Sequence, residues 1–195
     1  MKSRASCPPP SQGQALAGGG FEQCYNAQAM VAEGSLLVVA ADVSQAANDK
    51  QRLQPMLNQV TALPSVLGEV DTMLADHGYF SAANVTACVT AQIEPLIAMG
   101  RQPHYPPLAE RFAAAPAAPD NPTPVEAMAY RLKTPDGKKL YALRKQMPEP
   151  VFGIIKSVLG FRQFLLRGLD CVRSEWSLVT MAWNIKRMFV LCPAL

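Results

Sequence analysis

The sequence predicts an α/β fold in which strands alternate with helices and a long amphipathic helix lies near the C-terminus. Strand-like runs at 69–75 and 95–99 flank a helical run of about 81–92 that Ser81 can cap, and this order is typical of a crossover connection. Further along, apolar residues recur at alternating spacings of four and three, with Gly168 as a candidate break in the helix: Leu165, Leu169, Val172, Trp176, Val179 and Trp183. Since the chain has 195 residues, 49% of them hydrophobic, we expect one globular domain around one core.

The remaining elements follow from turn and cap signals. Two extended runs, 23–32 and 35–43, are separated by Glu33 and Gly34 and predict a β-hairpin. Asn48 and Asp49 are candidate caps for a helix over 50–61, whose apolar face would hold Leu53, Met56, Leu57 and Val60. The Pro-Asp-Gly sequence at 135–137 predicts a second hairpin over 131–141, and Pro148 can begin a helix that ends near 159.

Two segments resist assignment to regular structure. Residues 1–20 are rich in Pro, Gly, Ser and Gln, and we expect a flexible leader there, with the folded domain over 21–195. A second Pro- and Ala-rich segment, 102–124, is expected to be a linker-like excursion from the domain.

Composition excludes several classes of protein. The most hydrophobic stretch, 176–195, is interrupted by Asn184, Lys186 and Arg187, so a membrane span is not expected. The first ten residues lack the apolar region of a secretory signal, and the five cysteines contain no C-x-x-C pair. These features favour reduced thiols in the cytoplasm over a disulfide framework or a structural zinc site.

The charge is divided unevenly along the chain. Residues 1–130 hold 6 Lys and Arg against 11 Asp and Glu, a net charge of −5, whereas residues 131–195 hold 12 against 4, a net charge of +8. A basic C-terminal third can bind a polyanion such as DNA through its phosphates. Solvated helix surfaces explain the same charges, so this pattern leaves both interpretations open.

Two carboxylates are candidates for chemistry because of where they lie. Asp76 follows a predicted strand, at the sheet edge where ligands usually bind, and Glu149 lies in the first turn of a predicted helix. Lys156 comes seven residues after Glu149, which puts both side chains on one helix face about 10 Å apart. Gly153 lies between them and leaves room for a close approach. Upstream, Tyr141, Arg144 and Lys145 add a hydroxyl donor and two cations.

Five runs together resemble the DDE transposases of bacterial insertion sequences. These runs are 25–28 (YNAQ), 41–50 (ADVSQAANDK), 75–79 (ADHGY), 149–156 (EPVFGIIK) and 160–169 (GFRQFLLRGL). The resemblance extends over about residues 20–190, and the five runs follow one another in the order and at the spacing of the family. It implies an RNase H-like mixed sheet with flanking helices, incomplete at its N-terminal strand, that ends in long amphipathic helices.

The resemblance also implies a site. In this family three acids, Asp, Asp and Glu, hold two divalent metals, Mg²⁺ or Mn²⁺, that cut and rejoin DNA at the ends of the element. Asp76 resembles the second acid and Glu149 the third. The DNA-binding residues implied are Tyr141, Arg144, Lys145, Lys156, Arg162 and Arg167. Since Lys145 rather than Arg144 lies four positions before Glu149, either residue can be the DNA contact.

Such residues suit phosphodiester chemistry. Two metals about 3.5 to 4 Å apart can activate the attacking oxygen and stabilise the leaving one. The family's first acid lies on a strand before the Tyr-Asn motif, and the chain begins too late to contain it. We therefore expect a transposase fragment that is inactive alone, and we interpret Asp42 as a strand-end residue and Asp49 as a helix cap rather than as that acid.

The expected partners are DNA at the insertion-sequence ends and, as an option, a second copy of the chain. Two alternatives remain. One is a non-catalytic DNA-binding remnant, which the basic C-terminal third favours. The other is an unrelated metal-dependent nuclease or phosphatase that uses the same two acids.

Overall fold

The computed structural model describes residues 3–6, 14–15, 21–22, 24–46, 49–100 and 119–192. They form a mixed α/β fold with a long C-terminal helix, as the sequence predicts. The chain divides into two compact units. We call the first, Met1–Asn48, Pro55–Val60 and Lys145–Leu195, the hairpin unit, and the second, Asp49–Gln54 and Thr61–Arg144, the crossover unit.

The hairpin unit is built on a three-stranded antiparallel sheet. Its order is β1–β4–β5, with β1 at Ser3–Ser6, β4 at Cys24–Val31 and β5 at Val38–Ser44. The two-residue strands β2 (Gln14–Ala15) and β3 (Phe21–Glu22) form a separate pair. The predicted hairpin of 23–32 and 35–43 is confirmed by the pairing of β4 with β5. Gly34 lies in the turn with φ of +71°, a conformation that glycine adopts without steric cost.

Two helices of the hairpin unit supply most of its core. Helix α5 spans Pro148–Ser157 and α6 spans Leu169–Leu191. Phe152 of α5 stacks on Trp176 of α6 with ring centroids 5.6 Å apart, and both are buried with Val43 of β5. Apolar burial of this kind is the main stabilising contribution to the unit.

The predicted long helix is confirmed from Leu169 onward, and the candidate break at Gly168 is where it begins, so Leu165 lies outside it. Gly168, with φ of +85°, precedes the helix, and Leu165 is exposed in the loop before it. Residues Val172, Trp176 and Trp183 of the stripe are buried.

The crossover unit contains the predicted strand–helix–strand motif. Strand β6 (Thr72–Ala75) pairs in parallel with β7 (Glu94–Ile97), and α2 (Ala82–Thr90) lies between them in the sequence. The Ser81 hydroxyl accepts a 3.1 Å hydrogen bond from the Asn84 N–H, so the predicted cap is confirmed.

The predicted second hairpin over 131–141 is wrong. Helix α3 spans Pro124–Arg131 and α4 spans Pro135–Ala142. The Thr134 hydroxyl accepts a hydrogen bond from the Gly137 N–H and caps α4, with Pro135 in the first turn. Pro-Asp-Gly therefore serves as the start of a helix here, because the residue before it is a good N-cap.

Two smaller expectations also need correction. Helix α1 spans Leu53–Thr61 rather than 50–61, so Asp49 lies too far before it to occupy the cap position, although its four predicted apolar residues are buried. The apolar spacing of α5 predicts Val151, Ile154, Ile155 and Val158 on its packing side, but Val158 is exposed and Phe152 is buried.

Parts of the two irregular segments fall outside the described residues. Within the predicted leader 1–20, the structure describes only the strands β1 and β2. Of the predicted excursion 102–124, residues 102–118 lie outside the described part of the chain. No helix among the described residues is both long and apolar enough to cross a lipid bilayer.

Candidate functional site

Asp76 lies directly after β6, at the carboxyl end of the parallel strand pair. Its backbone is still extended, with φ of −72° and ψ of 162°, and a single 3-10 turn, His77–Tyr79, follows it. The side chain is 45% exposed. The carboxyl ends of parallel strands are where ligands bind in α/β proteins, so the position predicted from sequence is the one observed.

Arg144 is the cation that holds Asp76. Its guanidinium forms an ion pair with the Asp76 carboxylate and lies 5.3 Å from the centre of the Tyr141 ring. The Tyr141 hydroxyl in turn donates a 3.3 Å hydrogen bond to the Ala75 carbonyl, one residue before Asp76. The structure thus brings together three of the predicted residues, Asp76, Tyr141 and Arg144, in the crossover unit.

The phenol groups around Asp76 stay protonated at neutral pH. Burial raises the pKa of Tyr141 above its ordinary value, and the nearby Arg144 cation opposes that shift only in part. Burial also raises the pKa of Tyr79, to which the negative charges of Asp49 and Asp76 add. Tyr141 and Tyr79 are therefore hydrogen-bond donors rather than nucleophiles at neutral pH.

Two residues that sequence reasoning did not assign to the site support the turn after Asp76. Asp49 is 2% exposed, and a Cβ added to Gly78 would lie 2.9 Å from its Oδ2 atom, so the turn packs directly on this carboxylate. Asn84 donates 2.7 Å hydrogen bonds to the carbonyls of Lys50 and Tyr79. Asp49 and Asn84 therefore fix the position of the loop that carries Asp76.

Glu149 belongs to the hairpin unit, in the first turn of α5. Pro148 begins the helix, and Val151, Phe152 and Ile155 are buried beneath it, which leaves Glu149 on the exposed side. A Cβ at Gly153 would meet nothing within 4 Å, so the surface between Glu149 and Lys156 is open, as the sequence predicts. Lys156 is only partly exposed, in the last turn of the same helix.

The other predicted cations are exposed. Lys145, Arg162 and Arg167 belong to the hairpin unit, the two arginines in the loop between α5 and α6. The carboxylate of Glu175 holds this loop by accepting hydrogen bonds from the Leu165 and Leu166 N–H groups, at 2.8 to 3.1 Å. Exposed guanidinium groups on a fixed loop are suited to phosphate binding.

Tyr25 and Asp42, both within the runs that resemble the transposases, make structural contacts. The Tyr25 hydroxyl accepts a 3.1 Å hydrogen bond from the Gly168 N–H, at the start of α6. Asp42 in β5 forms an ion pair with Arg173 at 3.2 Å. These contacts join the hairpin to α6.

The chemistry of the donors fits a hard divalent cation. Asp76 and Glu149 offer carboxylate oxygens, the ligands that Mg²⁺ and Mn²⁺ prefer. Within the described ranges, no group of three or more His, Cys, Asp or Glu side chains is arranged to hold a metal ion. Asp76 and Glu149 belong to different units. Each is therefore a candidate metal ligand because of its own position and its carboxylate chemistry.

A comparison with protein families gives a match. Residues 118–189 match the family described as "Transposase DDE domain", which confirms the resemblance to DDE transposases. The matched segment contains Tyr141, Arg144, Glu149 and Lys156, and Asp76 lies before it. No curated protein and no solved structure matches the chain.

Proposed function

Because residues 118–189 match the transposase DDE domain, we propose that the chain acts in DNA transposition by metal-dependent cleavage and strand transfer at insertion-sequence ends. In this proposal its fold is RNase H-like, its metal is Mg²⁺ or Mn²⁺, and it works on DNA in the cytoplasm. The observation that carries the proposal is the family match around Glu149, joined to the position of Asp76 at the end of a parallel strand.

Each side chain has a role in this proposal. Asp76 and Glu149 bind the divalent cations, whose chemistry is to lower the barrier to attack on a phosphodiester. Arg144 orients Asp76, because its guanidinium is mostly covered and pairs with that carboxylate. Tyr141 and the exposed cations Lys145, Arg162 and Arg167 bind the DNA backbone together with Lys156.

Since the chain is expected to be inactive alone, the test is cleavage of terminal-repeat DNA, with Mg²⁺ or Mn²⁺, by this chain joined to an upstream segment that carries the family's first acid. We expect Asp76→Asn and Glu149→Gln to abolish cleavage, since each amide keeps the size of the side chain but loses the charge that binds the cation. Matched controls are Asp120→Asn and Glu69→Gln, which change exposed acids outside the site. Undiminished cleavage by Asp76→Asn would show that the assignment of this residue is wrong.

A second candidate function is DNA binding without catalysis, which the net charge of +8 over residues 131–195 favours. It predicts that affinity for DNA falls steeply with salt and is unchanged in Asp76→Asn and Glu149→Gln. Binding without cleavage by the upstream-extended chain, in either metal, would favour this candidate, whereas affinity independent of salt would exclude it.

A further inference from the structure

The loop between α5 and α6 presents two adjacent leucines to solvent. Leu165 is 77% exposed and Leu166 is 47% exposed. A single exposed leucine is common on protein surfaces, so exposure alone does not identify a site. These two residues, which we call the leucine pair, are distinguished by the way their backbone is held and by the charges beside them.

A carboxylate of α6 holds the backbone of the leucine pair. Both oxygens of Glu175 accept a hydrogen bond from the Leu165 N–H, at 2.8 and 3.1 Å, and Oε2 also accepts one from the Leu166 N–H, at 3.0 Å. Hydrogen bonds to a charged acceptor are stronger than those between neutral groups. The helix therefore fixes the loop, and the loop backbone satisfies the negative charge of Glu175.

Two further anchors lie before and after the leucine pair. Phe164, directly before it, is 4% exposed, and the centre of its ring lies 6.3 Å from that of Trp176 and 6.0 Å from that of Tyr25. Two residues after the pair, the Gly168 N–H donates a 3.1 Å hydrogen bond to the Tyr25 hydroxyl. Since the loop is held on both sides of the leucine pair, a ligand does not bear the cost of ordering it.

Two cations bracket the leucine pair. Arg162 lies three residues before it and Arg167 directly after it, and both are exposed. The loop sequence 158–168 contains no acid, and the next acid along the chain, Asp170, pairs with Arg173 at 3.6 Å. An apolar pair between two cations is complementary to a ligand in which apolar groups lie between negative charges.

Duplex DNA is a ligand of this kind, because its stacked bases lie between two rows of phosphates. Five residues of chain lead from Arg162 to Arg167, a reach of at most about 18 Å, whereas phosphates repeat about every 3.4 Å along each strand. The two guanidinium groups can therefore contact phosphates on both sides of one base step. The loop also lies within the matched segment 118–189, so DNA is the polyanion that the proposed function brings to it.

We propose that the leucine pair is a wedge that enters a DNA base step and unstacks it, while Arg162 and Arg167 bind the flanking phosphates. Apolar side chains that enter a step in this way kink the duplex by about 20–90°. Pyrimidine–purine steps such as TA and CA unstack most readily, so the wedge selects them without hydrogen bonds to the bases. This inference rests on the proposed function and deepens it, because it assigns DNA deformation and step selectivity to two residues that bind neither metal nor phosphate.

The test is binding of the full chain, without metal, to terminal-repeat duplexes in which 2-aminopurine replaces the adenine of one pyrimidine–purine step at a time. The fluorescence of 2-aminopurine rises when this base unstacks. We expect a several-fold rise at one or more of these steps. Changing the responsive step to AA, which is stiffer, should weaken binding about tenfold.

Two double variants separate a wedge from a surface that only binds phosphate. Leu165→Ala, Leu166→Ala should lose the fluorescence rise and should bind both duplexes equally. Leu165→Lys, Leu166→Lys should also lose the rise, although its two added cations should make the affinity for DNA depend more steeply on salt. The matched control is Leu178→Ala, which shortens a leucine that is 60% exposed in α6 and should keep both the rise and the step preference. Unchanged tryptophan fluorescence shows that each variant is folded.

Three results would overturn the wedge alone. These are binding without a fluorescence rise at any pyrimidine–purine step, a rise that the double alanine variant retains, and a step preference that the double lysine variant retains. A chain that binds no DNA even at low salt would overturn the wedge and the proposed function together. A rise that persists when the upstream-extended chain fails to cleave would keep the wedge and overturn catalysis.

A lipid surface is the other ligand that suits leucines beside arginines. Binding of the chain to phosphatidylserine vesicles, lost in the double alanine variant and accompanied by no fluorescence rise with DNA, would assign the leucine pair to that surface and overturn the wedge.

Discussion

Replacing Asn184 by alanine should destabilise the hairpin unit by about 2 kcal/mol, because this side chain completes the hydrogen bonding of an edge strand. Strand β5 is at the edge of the β1–β4–β5 sheet. The Asn184 amide accepts a 2.8 Å hydrogen bond from the Val38 N–H and donates one of 2.8 Å to the Val38 carbonyl. A helix side chain thus takes the place of a neighbouring strand, which also protects the edge from pairing with other chains.

The magnitude follows from burial. Val38 is 8% exposed, so water replaces the lost amide poorly, and two hydrogen bonds at about 1 kcal/mol each give the expected loss. Gln59 provides a matched control, since its amide makes the same pair of bonds, both 3.1 Å, to the N–H and carbonyl of Ala41. Those bonds are exposed, so Gln59→Ala should cost less than about 1 kcal/mol because water can take over.

Urea unfolding measured by tryptophan fluorescence reports on this unit selectively, because both tryptophans of the chain, Trp176 and Trp183, lie in α6. With an m-value of about 2 kcal/mol/M, Asn184→Ala should lower the midpoint by about 1 M without changing the slope. If Asn184→Ala lost no more stability than Gln59→Ala, the Asn184 amide would not be completing a buried strand edge.

Three other predictions concern glycines and a buried thiol. Gly137→Ala should destabilise the crossover unit by about 3 kcal/mol, since the new Cβ would lie 1.9 Å from the Arg131 carbonyl oxygen. The loss of stability is measured as faster labelling of the buried Cys88 thiol, followed by peptide mass spectrometry, and an unchanged labelling rate would contradict the prediction. Gly153→Ala should instead stabilise α5 by up to about 1 kcal/mol, because alanine favours a helix and its Cβ would meet nothing within 4 Å. The urea midpoint should rise, and a lower midpoint would count against this prediction. Burial raises the pKa of Cys88 from 9.0 to about 11. As the pH rises, the Cys88 thiol therefore ionises in the unfolded chain before it ionises in the folded one. This contribution to the free energy of unfolding is complete below pH 9 and is lost as the pH rises towards 11. The urea midpoint, measured by circular dichroism, should therefore fall less steeply with pH between 9 and 11 in Cys88→Ala than in the unaltered chain. An equal fall in both proteins would show that the pKa of Cys88 is not raised.

Local signals explain why much of the chain could be read from its residues. The Ser81 cap, the hairpin turn at Gly34 and Pro148 at a helix start act over three or four residues, and each lies where it was expected. Asp76 was found for the same reason, as the polar residue that ends a strand. At 131–141 the signal was ambiguous, because Pro-Asp-Gly suits a turn as well as a helix start, and the Thr134 cap decided for the helix.

Contacts between residues far apart in sequence could not be predicted from local patterns and follow from the packing of the folded chain. The pairing of Arg144 rather than Lys145 with Asp76 depends on how α4 and the residues after it return to the end of β6, a separation of 68 residues. Asp49 looked like a helix cap and is instead buried beneath the turn at Gly78. Propensity and periodicity are local, so they were enough to predict the type of most elements and the acids that these elements present. Which side chains meet depends on packing across the whole chain, which no local pattern encodes.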